Sequence, residues 1–107
     1  MTTFDKRKEA YENKFARDEE LRFKATARRN KLLGLWAAEK LGKSGEDAEA
    51  YARQVVRADM QEAGDEDVFR KVRADFDAGN VDVSDHQIRR EMEEKMGEAV
   101  GQIEAGE

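Results

Sequence analysis

No proline occurs in the 107 residues. Proline is the strongest breaker of helices, so a chain without it ends helices by glycine, by capping side chains or by loss of apolar periodicity. Gly42, Gly64 and Gly79 each close a periodic apolar segment, where a residue able to adopt the left-handed conformation is expected. Ser44, Asp65 and Ser84 follow as N-caps, and Ser44 to Asp47 and Ser84 to Gln87 have the capping-box spacing. Asp65, Glu66 and Asp67 also put negative charge at a helix start, where the dipole favours it.

This punctuation predicts four helices, at about 18–41, 45–63, 66–78 and 85–104. The first is expected to bury Leu21, Ala25, Leu32, Leu35 and Trp36; the second Ala48, Ala52, Val55, Val56 and Met60, with Tyr51 beside them. The third carries Val68, Phe69, Val72 and Phe76, and the fourth Ile88, Met92, Met96, Ala99 and Ile103. Each is an amphipathic stripe in need of a partner, and short connections make neighbours antiparallel or steeply crossed. The expected fold is all-α: a four-helix bundle over 18–104, preceded by a flexible, partly helical arm at 1–17. Gly97 and Gly101 weaken the end of the last helix, so 105–107 is expected to fray. Gly34, between Leu33 and Leu35, suits either close packing of two helices or a hinge.

Composition sets further bounds. Charged residues make up 42 % of the chain and the net charge is −5, which argues against general affinity for nucleic acid. There is no cysteine, so disulfides and thiolate metal sites are excluded. No apolar run approaches a membrane span and no signal peptide is apparent, which favours the cytoplasm. Leu, Ile, Val and Phe number 19, close to the fraction at which disorder competes with folding, while fifteen alanines favour helix. A small, marginally stable helical domain follows.

An active site is hard to find. The single histidine, His86, sits in the first turn of a helix with no partner acid or nucleophile assignable from spacing, and reads as a surface residue. Phosphate-binding glycine loops are absent, and acidic pairs such as Glu93-Glu94 are ordinary in so charged a chain. One basic cluster stands out: Arg22, Lys24, Arg28, Arg29 and Lys31, with no acid between 21 and 38. Lys24, Arg28 and Lys31 are helical neighbours, so charge gathers on one side. The plain reading is a solvated face; the functional one is contact with an acidic protein surface or a nucleotide phosphate. The cluster is read as lacking interleaved aromatics, so RNA binding is not expected.

The front of the chain carries a different signal. Wound at 100° per residue, Phe4, Tyr11 and Phe15 fall within about 40° of one another. Lys8 and Asp18 interrupt that face, leaving a stripe too thin to anchor the segment in a core. An isolated helix of about 12 residues is marginal in water, so the arm is expected to gain its structure by docking into a groove on another protein. Asp5, Arg7, Glu9, Lys14 and Arg17 flank the stripe and would set register and partner choice. Spacing alone leaves a second reading open, in which the arm extends the first helix and caps the bundle.

The strings TTFDKRKEAYENKFARDEELRFKATARRNKLLGLWAAEKLG (2–42) and GDEDVFRKVRADF (64–76) closely resemble the zeta ATPase-inhibitor subunit family of alphaproteobacterial F-type ATP synthases. The likeness spans nearly the whole chain. It implies a non-enzymatic, four-helix regulatory subunit, monomeric when free and peripheral to the inner membrane when bound to the synthase. By this resemblance the arm enters an interface of catalytic and non-catalytic subunits in the head, near the rotary shaft, and blocks ATP hydrolysis. The matching arm positions are Thr3, Phe4, Asp5, Arg7, Glu9, Ala10, Lys14, Phe15 and Ala16. Lys6, Lys8 and Tyr11 depart from the pattern of the strongest inhibitors, as does the terminal VGQIEAGE. No cofactor or metal is required, although the resemblance makes an adenine nucleotide a possible ligand of the globular part.

Overall fold

The computed structural model describes residues 19–59 and 65–106. Four helices follow in order: α1 (Glu19–Lys40), α2 (Gly45–Asp59), α3 (Glu66–Ala78) and α4 (Asp85–Glu104). The chain is all-α, and the helices pack compactly around one core. α1 is the central element: its most extensive contacts are with α2 and α4, and it also touches α3. The arm residues 1–17 lie outside the described residues, as do Met60, Gly64 and the expected last turn of the second helix.

The helix ends follow the punctuation in part. Gly42 takes the left-handed conformation (φ 78°). There the Lys43 N–H reaches back to the Ala38 carbonyl (2.8 Å) and the Gly42 N–H to that of Glu39 (3.1 Å), closing α1 with a Schellman motif. Gly79 was expected to do the same for α3 but has φ −89°. The left-handed residue is its neighbour Asn80 (φ 57°), and the same bond pattern is shifted by one residue: Val81 N–H to Phe76 and Asn80 N–H to Asp77. Asparagine tolerates that conformation, while Gly79 meets a different demand. A Cβ there would lie 3.0 Å from Leu41 Cδ2 and 3.3 Å from the Asp75 carbonyl oxygen.

At the helix starts, Ser84 forms the full capping box. Its hydroxyl accepts from the Gln87 N–H (3.1 Å), and Gln87 Oε1 accepts from the Ser84 N–H (3.0 Å). Asp65 makes no side-chain cap to α3, because its carboxylate is committed to Arg29 on α1 instead. α4 continues unbroken through Gly97 and Gly101 to Glu104.

The core is built from Leu33, Ala37 and Ala38 of α1, Tyr51 and Val55 of α2, Val68, Val72 and Phe76 of α3, and Ile88 and Met92 of α4. Ala25, Ala52 and Ala99 are buried as expected, but in α1 the innermost leucine is Leu33, while Leu21, Leu32, Leu35 and Trp36 are only half-buried. Trp36 packs edge-on against Phe76, with ring centroids 5.6 Å apart. Val83, in the extended α3–α4 connection, is also buried, and Val81 packs beside it. Gly34 is a close-packing glycine rather than a hinge. A Cβ at that position would sit 2.7 Å from the Ala52 Cα, so α1 and α2 approach more closely there than any side chain allows.

Two polar clusters tie the helices together. The Tyr51 hydroxyl of α2 donates to Asp75 Oδ2 of α3 (2.8 Å), which also receives Lys71 Nζ (2.8 Å), and that ammonium stands over the Tyr51 ring. Burial, then the Asp75 hydrogen bond and charge, hold the Tyr51 phenol well above its ordinary range. Arg73 of α3 bonds Asp77, the Val83 carbonyl and Asp85, fixing the connection to the start of α4.

Candidate functional site

The basic cluster of α1 divides when the helix is wound. At 100° per residue, Lys24, Arg28 and Lys31 share an arc of about 60°, while Arg22 and Arg29 point roughly 100° or more away from it. The structure follows that division. Lys24, Arg28 and Lys31 border a groove of about 560 Å³ whose other walls are Phe23 and Ala27 of α1, Val56 of α2 and Ile103 of α4. Arg28 Nη1 donates to Gln102 Oε1 of α4 (2.8 Å), fixing one side of the rim, and Lys24 pairs with Glu20 one turn away (3.4 Å). Arg22 is exposed and does not line the groove.

Arg29 turns inward. Its side chain is 2 % exposed; Nη2 donates to Asp65 Oδ1 (2.7 Å) and Nε to Asn30 Oδ1 (2.6 Å). It therefore does not share the exposed face with the other cations. A guanidinium presents several donors in a fixed plane, so one buried group can hold the start of α3 and a neighbouring amide together. Asn30 is 1 % exposed, and its Nδ2 has no hydrogen-bond partner among the described residues.

Sequence reasoning missed the apolar part of the groove. Phe23 lies between Arg22 and Lys24 and is 68 % exposed, so an aromatic does interleave with the cluster, contrary to expectation. The available signal was its position one turn before Ala27 and two before Lys31, on the same stripe. Val56 and Ile103, which the apolar stripes place in the core, are half-buried and line the groove. His86 is exposed on the first turn of α4. Among the described residues there is no cluster of three metal-ligating side chains, and no helix is long and apolar enough to cross a membrane.

Among the described residues the groove sets three cations beside an apolar floor, an arrangement suited to contact rather than to covalent chemistry. The sequence matches the family model for ATPase inhibitor subunit zeta over residues 1–102. The chain belongs to that family. The zeta family is one of inhibitor subunits, not of enzymes. The chain is also similar to a protein whose solution NMR structure is 49 % identical in sequence, covering 81 % of this chain and 99 % of that one, with a TM-score of 0.72. No curated protein matches the sequence.

Proposed function

We propose that this chain is a regulatory subunit that binds the catalytic head of the F-type ATP synthase and inhibits ATP hydrolysis, with residues 1–17 entering a catalytic interface as a helix. The observation that carries this reading is the extent of the family match, which begins at residue 1 and so includes the aromatic stripe of Phe4, Tyr11 and Phe15. The mechanism is mechanical. Rotary hydrolysis must open and close each interface in turn, and an arm that fits one state opposes departure from it by its difference in affinity between states. Moving an interface from about 1:99 to about 99:1 in favour of one state takes about 5.5 kcal/mol of such difference. The four-helix body acts as the grip that keeps the arm at high local concentration. The protein would then work in the cytoplasm, at the membrane surface wherever the synthase is.

Deleting residues 1–17 tests this directly. The shortened chain is expected to keep its helical circular dichroism and to lose inhibition of ATP hydrolysis by the purified head; undiminished inhibition would refute the reading. A second reading, an adenine nucleotide held at the α1 cations, is favoured by the size of the groove, which falls in the range of small-molecule sites. Titration with ATP, followed by amide shifts, separates the two.

A further inference from the structure

The open stretch of α1 between Phe23 and Lys31 offers more than a basic surface. Its three cations lie on consecutive turns of one helix, spanning about 10 Å along the axis. Beneath them run Ala27, Val56 and Ile103, with the exposed ring of Phe23 at one end. We infer that this groove is a second docking surface, and that its occupant is an acidic amphipathic helix of the synthase head. This inference rests on the proposal that the chain binds that head.

Spacing, charge and the apolar floor select this occupant. Cations at 24, 28 and 31 repeat as i, i+4 and i+7, the spacing at which carboxylates recur along one face of a facing helix. The apolar floor between the helices suits the apolar stripe of such a segment. A nucleotide gathers its charge at one point and is commonly met by free backbone N–H groups at a helix start, whereas this groove lies along helix flanks whose N–H groups are already bonded. The chain's own front segment does not complement the groove: residues 1–18 carry five basic against four acidic side chains. The sign of the surface also matters, because a local basic track on a protein of net charge −5 orients its approach to an acidic partner. The rim is partly pre-ordered by the Arg28–Gln102 bond, which lowers the entropy lost on docking. Phe23 begins one turn into α1, so a partner that holds residues 1–17 lies beside the groove.

The test uses the full-length chain and the purified synthase head. In the double variant Lys24→Glu/Lys31→Glu, binding is expected to weaken at least tenfold, chiefly through slower association, and to lose most of its dependence on salt. Lys43→Glu/Arg53→Glu reverses the same amount of charge at exposed positions off the groove and is expected to bind as the parent chain does. Phe15→Asp reports separately on the arm, through loss of inhibition. If Phe15→Asp abolishes inhibition while the groove variant binds normally, the groove is not a docking surface although the inhibitory reading stands. Equal loss in the two charge-reversal variants, ATP-induced shifts at Phe23, Ala27 and Lys31, or self-association abolished by the groove variant would each overturn the inference. If neither Phe15→Asp nor the groove variant has an effect, the inhibitory reading falls with it.

Discussion

One face of α1 meets two different environments. Phe23, Ala27, Lys31, Gly34 and Ala38 fall within about 80° of each other on the helix, a single stripe. In its second half the stripe is closed: Ala38 is buried, and Gly34 lies so near Ala52 that no Cβ fits. In its first half the stripe opens into the groove, and Phe23 stands largely in solvent. Small residues draw α2 onto one end, while long basic side chains and a ring border the other. One half of the face is thus closed by helix packing, and the other is left open.

Matched substitutions on this stripe break or sharpen the comparison. On the stripe itself the largest effect is expected at Gly34→Val, where a branched side chain must push α1 and α2 apart at a point where the Ala52 Cα lies 2.7 Å from even a Cβ. A loss of about 3 kcal/mol is expected, at the upper end of overpacking effects. Ala27→Val adds a branched group in the open half and should cost less than about 1 kcal/mol, chiefly through the lower helix propensity of valine. Urea unfolding of the two variants reads the difference directly; equal losses would mean that the open half is as closely covered as the other.

The next effect contrasts sequence neighbours on opposite sides of the helix. Arg29→Ala removes a buried guanidinium that fills interior space and bonds both Asp65 and Asn30, and should cost about 2–3 kcal/mol. Arg28→Ala removes a half-exposed rim residue and should cost about 0.5 kcal/mol. Thermal unfolding would rank them; a larger loss at Arg28 would overturn the inward assignment of Arg29.

The sequence made the helices legible because their signals are local: apolar repeats, the Gly42 stop and the Ser84 capping box all act within a turn. It could not show which of Leu32, Leu33 and Leu35 is innermost. α1 contacts three other helices, so its apolar residues spread around the axis and their ranking depends on where those helices lie. The left-handed stop falls on Asn80 rather than Gly79, and the missing Cβ of Gly79 instead leaves room for Leu41, a contact between segments far apart in sequence. The same holds for the candidate site. Its cations were visible as a run, but the separation of Arg29 from Arg28 needed the winding angle, and the groove needed Val56 and Ile103 from two other helices. Asp65 looked like a cap and became a partner of Arg29, a choice made only when α1 and α3 meet.

A smaller effect lies beneath the closed half, at Tyr51. Tyr51→Phe removes one of two donors to Asp75, leaving Lys71 in place, and should cost about 1 kcal/mol at neutral pH. The phenol is held above its ordinary value near 10, so it gives up its proton in the unfolded chain before it does so in the folded one. Its contribution is therefore complete below about pH 10 and is lost as pH rises beyond that. The parent chain should lose stability more steeply than Tyr51→Phe above that point. Parallel curves would place Tyr51 in contact with water.

The smallest expected change in stability is at Phe23, and it bears most directly on the open half. Phe76→Ala would empty a fully buried site, at a cost of about 3–5 kcal/mol. Phe23→Ala removes a ring that is already 68 % exposed, and alanine is the better helix former, so the midpoint of urea unfolding should move by less than about 0.5 kcal/mol. Binding to the synthase head should nevertheless weaken, because a rigid aromatic at the edge of a groove supplies contact area at little entropic cost. A ring that mattered to folding would show the reverse pattern, a large loss of stability with affinity unchanged per folded molecule. That result would close the open half of the stripe and remove the contrast between the two ends of α1.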